Sequence, residues 1–233
     1  MTRQNRYKFK IADEIIARAG RFSAEQLRRD RIRKKRLFSL IADNSSKILD
    51  IGCGFGDTAI ELALRGNRVL GIDPDKEFIN QAEQLAVDFN VNNAVFERED
   101  FLNKDFKGEE FDGIILSEVL EHFDDPLPIF RKIRHLLKNG GWLVISIPNI
   151  VSLRNRLVFS LRGAFPDNQE FHRYYFTRAD LLSRLADGGF KIEKVVGDFI
   201  PFHYGFPGMR ISGFLASIFI DLSYTVIVMA IKI

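Results

Sequence analysis

Short apolar runs alternate with longer stretches whose apolar residues recur every three or four positions. KILDI (47–51) sets Ile48, Leu49 and Ile51 in a row broken only by Asp50, the pattern of a strand buried on both faces. DTAIELALRG (57–66) carries Ala59, Leu62 and Ala63 at helical spacing and stops on Gly66. RVLGID (68–73) predicts a second strand, and KEFINQAEQLAVDF (76–89) a helix with Phe78, Ile79, Ala82, Leu85 and Ala86 on one stripe. NAVFERED (93–100) reads as a third strand ending in Asp100, and FDGIILSEVLEH (111–122) as a fourth running into a helix. IFRKIRHLLKNGG (129–141) predicts an amphipathic helix stopped by its glycines, and WLVISIPN (142–149) a fifth strand. Strands alternating with helices imply an α/β fold, a doubly wound and mainly parallel Rossmann-like sheet.

Between the first strand and first helix stand Gly52, Cys53, Gly54 and Gly56. Glycines at a turn let backbone lie directly against a ligand. GFGDTA (54–59) fits the loose dinucleotide fingerprint, with Asp73 about where a ribose-binding acid belongs. A tight turn with no ligand satisfies the same pattern. Ligands of such sheets sit outside the carboxyl ends of the strands. Polar residues mark that edge repeatedly: Asp50, Asp73, Asp100, Ser117 with Glu118, and Asn149. A single strand-end acid is ordinarily a cap or turn residue; several on one edge beside a glycine turn are not.

ILDIGCGFG, GIDPD, EREDF, FDGIILSEVLEH and LLKNGGWLVISIPN, taken in that order, resemble the successive motifs of class I S-adenosylmethionine-dependent methyltransferases. The resemblance covers about residues 46–150, more weakly to the end. It implies S-adenosylmethionine rather than NAD, and a seven-stranded sheet whose last strand, TVIVMAIKI, runs antiparallel beside KIEKVVGD (191–198). It also implies ligand roles. Asp50 and the turn Gly52–Cys53–Gly54–Gly56 hold the methionyl end, and Asp73 accepts the ribose hydroxyls. Asp100 and the Phe101 backbone take the adenine, whose face is covered by Phe101 or Pro74. Ser117 and Glu118 lie near the methyl donor. The chain is similar to the small-molecule and sugar methyltransferases that carry an EVLEH segment.

Methyl transfer to a hydroxyl needs positioning and removal of one proton. His122 and His172 are the catalytic candidates, because imidazole as a residue type exchanges protons near neutrality. Glu118, Glu121 and His122, spaced i, i+3, i+4, are expected on one helical face. E-x-x-E-H also resembles the metal-binding segment of ubiquinone-type O-methyltransferases and of small-RNA 3′-terminal methyltransferases. The same segment occurs where no metal binds, and the reading adopted places none in the site.

Composition then sets the boundaries. The lone Cys53 excludes an internal disulfide and fits a reducing cytoplasm. The first forty residues are charged throughout, so no signal peptide is expected. Net charge is +3, yet residues 1–36 hold thirteen Lys/Arg against four Asp/Glu, densest in RRDRIRKKR (28–36). That run is a solvated helix face or an anion-binding surface; without interleaved aromatics, nucleic acid is the weaker partner. The apolar tail (211–233) is broken by Asp221 and Lys232 and falls short of a bilayer span, leaving shallow membrane contact through 202–222 as its alternative role. The expected organisation is a basic helical cap (1–45), a cofactor core (46–150), a substrate-lid insertion (151–180) and a C-terminal helix with strands completing the sheet (181–233). The function expected is methyl transfer to a small molecule or sugar, at oxygen. The alternatives are a metal-assisted RNA 2′-O-methyltransferase and a cofactor-binding regulatory domain. Oligomeric state is left open by the sequence.

Overall fold

The computed structural model describes residues 24–41, 46–164, 172–200 and 215–233. The chain divides into two compact units, Met1–Ile115 and Leu116–Ile233. One seven-stranded sheet has the order β3-β2-β1-β4-β5-β7-β6. Its strands are β1 (Lys47–Ile51), β2 (Arg68–Asp73), β3 (Ala94–Arg98), β4 (Phe111–Ser117), β5 (Leu137–Pro148), β6 (Phe190–Gly197) and β7 (Thr225–Lys232). β1 pairs parallel with β2, and β2 with β3; β7 is antiparallel to both β5 and β6. The Rossmann-like sheet with an antiparallel last strand is the one the sequence predicts.

In the first unit the helices are α1 (Ala24–Phe38), α2 (Asp57–Leu64) and α3 (Lys76–Asp88). α1 contains the basic run and is anchored at its end by buried Leu37 and Phe38, with Leu40 and Ile41 just beyond. Residues 1–23 and 42–45 of the expected cap lie outside the described residues. α2 is nearly all buried, from Asp57 to Ala63, and stops where Gly66 adopts a φ of 91°. α3 starts on Asp75, whose carboxylate accepts from the N–H groups of Glu77 and Phe78. The β3 side chain Phe96 organises the packing around the glycine turn. A Cβ at Gly56 would lie 2.7 Å from the Phe96 ring and from Ala82 Cβ, and one at Gly71 also 2.7 Å from that ring. Both positions therefore exclude larger residues for steric reasons.

In the second unit α4 (Pro126–Leu136), α5 (Leu153–Arg162) and α6 (Arg178–Asp187) follow a 3₁₀ turn at Leu120–His122. Two expectations are corrected here. The segment after β4 is not an α-helix: Glu118 sits at φ 58°, outside helical geometry, and only Leu120–His122 coil. Gly140 and Gly141 do not stop a helix either. α4 begins earlier, on an Asp125 cap with Pro126 at its first turn, and ends at Leu136. Leu137 is fully buried and already extended, so β5 begins there and runs through the glycines. Apolar periodicity could not separate these, because Leu136 and Leu137 are both core residues. α6 is capped by Thr177, which accepts from the Asp180 N–H. No helix among the described residues is long and apolar enough to cross a membrane. Most of the 202–222 stretch, residues 202–214, lies outside the described residues.

Candidate functional site

Within the first unit, the turn after β1 is held by backbone and one acid. Gly52, Gly54 and Gly56 all have positive φ (65°, 53° and 78°), a region costly for side-chain-bearing residues. The N–H groups of Gly52 and Cys53 donate to the Ile72 carbonyl, at 2.8 and 3.0 Å. Asp73 Oδ2 accepts from the Gly54 N–H at 3.0 Å, while its Oδ1 accepts from Asp75 N–H at 2.9 Å. Asp73 thus ties the turn to the end of β2 and keeps one further lone pair on each oxygen. A Cβ at Gly54 would meet no atom within 4 Å, so the backbone there borders open space. Gly56 caps α2 and is packed instead.

Asp50 is 2% exposed, and its Oδ2 has no hydrogen-bond partner among the described residues. Burial raises its pKa to about 7, against the pull of Lys34 and with a push from Asp73. Lys34, itself buried, pairs with Asp30 one turn earlier on α1 at 2.7 Å and reaches over to Asp57 on α2. Burial lowers its pKa, opposed chiefly by Asp30. The sequence reading missed Lys34 because one lysine in a basic run has no pattern of its own. Only the i, i+4 spacing from Asp30 hinted at a fixed position. Cys53 is buried and its thiol is pushed well up by burial and the acids, which makes it an inert turn residue. At the end of β3, Asp100 is exposed and accepts from Leu102 and Asn103 N–H groups. The Phe101 ring is buried edge-on against Phe106, with centroids 6.1 Å apart.

The second unit places the other candidates. Ser146 Oγ lies 3.1 Å from both Ser117 Oγ and Glu118 Oε1, and the Glu118 N–H donates to the Ser146 carbonyl. β5 thereby fixes the residues that follow β4. Asp198, buried at the end of β6, accepts from the N–H groups of Phe199 and Thr225 at 2.6 and 2.9 Å. Burial lifts its pKa to about 7, with Glu118 adding repulsion. Nothing in the sequence pattern marked Asp198, since a lone acid after GG-free strand residues reads as a turn.

Glu121 is 2% exposed, and its carbonyl accepts from the Arg173 and Tyr174 N–H groups. That pairing carries residues 172–176 alongside the 3₁₀ turn. The His122 and His172 rings stand 5.2 Å apart at 68°, and His172 meets Tyr175 at 6.2 Å. One ligand atom each from Glu121, His122 and His172 lies within 4.8 Å of the others, a donor set able to hold a divalent cation. Glu118, expected in that group, is turned to Ser146 instead. A cleft beside the cluster is lined by Glu121, Pro148, Ile150, Asn155, His172, Tyr174 and Tyr175. Its wall is held by a buried amide relay: Asn155 Nδ2 donates to the Asn149 carbonyl, and Asn149 Nδ2 to the Asp221 and Ser223 carbonyls.

This fold and turn define a methyltransferase domain. Residues 23–195 match the family described as "Methyltransferase domain", and the chain belongs to that family. It is an S-adenosylmethionine-dependent methyltransferase. The chain is 29% identical over 161 residues to the ubiquinone biosynthesis O-methyltransferase of Pseudomonas syringae pv. tomato, covering 65% of this chain and 67% of that protein. It is 32% identical over 160 residues to the mitochondrial ubiquinone biosynthesis O-methyltransferase of Rattus norvegicus, covering 65% of this chain but 46% of that one. The magnesium protoporphyrin IX methyltransferase of Synechocystis PCC 6803, with bound SAH, superposes with a TM-score of 0.65 at 20% identity, over 92% of this chain and 89% of that one. The [4+2]-cyclase SpnF superposes with a TM-score of 0.66 at 19% identity, over 91% and 83%. Both structural likenesses show the fold alone, which hosts more than one chemistry.

Proposed function

We propose that the enzyme transfers a methyl group to an oxygen of a small-molecule or sugar acceptor. The observation carrying this reading is the Glu121–His122–His172 cluster beside a polar-and-aromatic cleft. The two relatives named as O-methyltransferases support the choice of oxygen. The first unit fits the cofactor: Asp50 offers a buried, unsatisfied oxygen to a cation, and Gly54 leaves room for close approach. In this reading Asp50, Gly52, Cys53, Gly54 and Gly56 hold the methionyl end. Asp73 takes the ribose hydroxyls, Asp100 and the Phe101 backbone the adenine with Phe101 or Pro74 over its face, and Ser117 with Glu118 the neighbourhood of the reacting methyl. When bound, S-adenosylmethionine supplies a methyl group that is already activated.

The protein's own work is then to orient the acceptor and accept its proton. Orientation can account for up to about 7–11 kcal/mol of barrier lowering. His122, exposed, or His172, half-buried, is the proton acceptor. The described part of the 151–180 insertion lines the cleft through Asn155, His172, Tyr174 and Tyr175 and would choose the acceptor, while its residues 165–171 lie outside the described residues. Among the described residues no observation favours RNA or a purely regulatory role. The test is titration of the chain with S-adenosylmethionine and with NAD, then transfer of labelled methyl over a panel of phenols, hydroxy acids and sugars. Expected are binding of the first cofactor alone and an O-methyl product. NAD binding without S-adenosylmethionine binding, or transfer only to nitrogen or RNA, overturns it.

A further inference from the structure

Tyr174 is half-buried and lines the cleft beside Glu121 and His172. Three contacts fix it. Its N–H donates to the Glu121 carbonyl at 3.1 Å. Its ring packs on that of the buried Phe176, with centroids 4.5 Å apart at 39°. The Arg184 guanidinium lies 4.8 Å from the Tyr174 ring centroid and donates through Nη2 to the Tyr174 hydroxyl. Arg184 is fixed in turn on α6, where Asp180 Oδ1 accepts from its Nε at 3.0 Å. A phenol oxygen that accepts from arginine keeps its own O–H to give. Arginine has no lone pair, so that proton cannot return to it. No acceptor for it is present among the described residues. A donor held rigidly in the wall of a cleft, with its proton uncommitted, is a means of recognising an oxygen on a ligand.

We infer that the Tyr174 hydroxyl orients the acceptor by donating to an uncharged oxygen on it, a carbonyl or ether separate from the hydroxyl that is methylated. Two features select an uncharged oxygen. Glu121, 2% exposed, stands in the same wall, so an anionic substituent would be set beside an acid. Arg184 brings no compensating net charge, because Asp180 pairs with it. Arg184 is then a positioning residue, which acts on the acceptor only through Tyr174. The inference rests on the reading that this cleft takes the acceptor, and it adds which side chain reads the acceptor and through what group.

The test is calorimetric titration of the full chain, with S-adenosylhomocysteine present so that nothing turns over, against three phenols. They are 4-hydroxyacetophenone, 4-ethylphenol, which lacks the carbonyl oxygen, and 4-hydroxybenzoate, which carries a carboxylate there. Wild type is expected to bind the ketone more tightly than the benzoate. Tyr174→Phe should weaken the ketone about 3–10-fold, the factor one neutral hydrogen bond supplies, and leave 4-ethylphenol unchanged. Arg184→Gln should weaken the ketone in the same selective way and do nothing further when added to Tyr174→Phe. A merely structural arginine would weaken all three phenols in either background. Should Tyr174→Phe melt early, the selectivity is read in Arg184→Gln alone. Ketone affinity that survives Tyr174→Phe, a benzoate preference that Tyr174→Phe abolishes, or no binding of any of the three overturns the inference. Because the readout needs no turnover, a failure of labelled methyl transfer would count against the proposed function and not against this comparison.

Discussion

The glycine turn of the first unit and the imidazole cluster of the second are built in opposite ways. The turn is made by one continuous strand–turn–helix–strand run, with its shape set by three left-handed glycines and by Asp73. The cluster needs a 3₁₀ turn, a segment some fifty residues later, and a relay through Asn149 and Asn155 to hold its wall. In the first, the backbone at Gly54 borders open space, and side chains such as Asp73 keep that backbone in place. In the second, side chains face the cleft and the backbone keeps them there. Substitutions should therefore damage the two regions differently: by shape in one, by chemistry in the other.

The largest effect expected falls on the chemical side. His122→Ala or His172→Ala should lower turnover by roughly 10²–10⁴-fold if that imidazole accepts the proton. Cofactor affinity should stay near wild type, because neither ring belongs to the turn. Chelator should leave wild-type turnover unchanged. Loss of turnover with chelator, restored by Mg²⁺, would instead make the same residues cation ligands. Full activity in both variants would remove both from the mechanism.

The turn should break by shape. Gly56→Ala places a methyl 2.7 Å from Phe96 and Ala82 at a φ of 78°, so a loss of roughly 3 kcal/mol in stability is expected. Gly54→Ala meets no neighbour and should cost about 1 kcal/mol for its φ of 53° alone, yet weaken cofactor binding more than Gly56→Ala does. Denaturant melts with a cofactor titration read both. Equal stability losses would mean that packing around Phe96 does not distinguish the two glycines.

What the sequence made legible follows the same division. β1, α2, β2 and α3 were readable almost to the residue, because burial on two faces or along one stripe writes a periodic pattern. β6 and β7 were readable through the family resemblance, which implied their antiparallel pairing. The EVLEH segment was misread because helical spacing is only a permission. Glu118 adopts φ 58° where β5 offers it Ser146, and no local propensity encodes that partner. The pairing of His122 with His172 depends on two N–H groups reaching the Glu121 carbonyl, a backbone contact invisible to side-chain patterns. Lys34 and Asp198 were missed for a related reason. Their burial comes from what other segments lay against them, not from their own surroundings in the chain.

The smallest effects expected compare those buried acids. Burial raises both Asp50 and Asp198 to about 7, but their settings differ. Asp198 already receives two backbone N–H groups, whereas Asp50 Oδ2 receives none among the described residues. An acid whose folded pKa exceeds its unfolded value binds an extra proton in the folded state. Its contribution to stability therefore falls as pH rises from about 4, the unfolded value, through about 7. Either Asp→Asn change should relieve this above pH 7, raising cofactor-free stability by roughly 1–2 kcal/mol, since the amide still bears some cost of burial. Cofactor binding should separate the two. An ammonium brought to Asp50 favours its charged form, so binding near pH 6 should release a proton. Calorimetry in two buffers of different ionisation heat measures that proton directly. It should vanish in Asp50→Asn and persist in Asp198→Asn. Release unchanged in Asp50→Asn would show that this carboxylate does not meet the cofactor's cation.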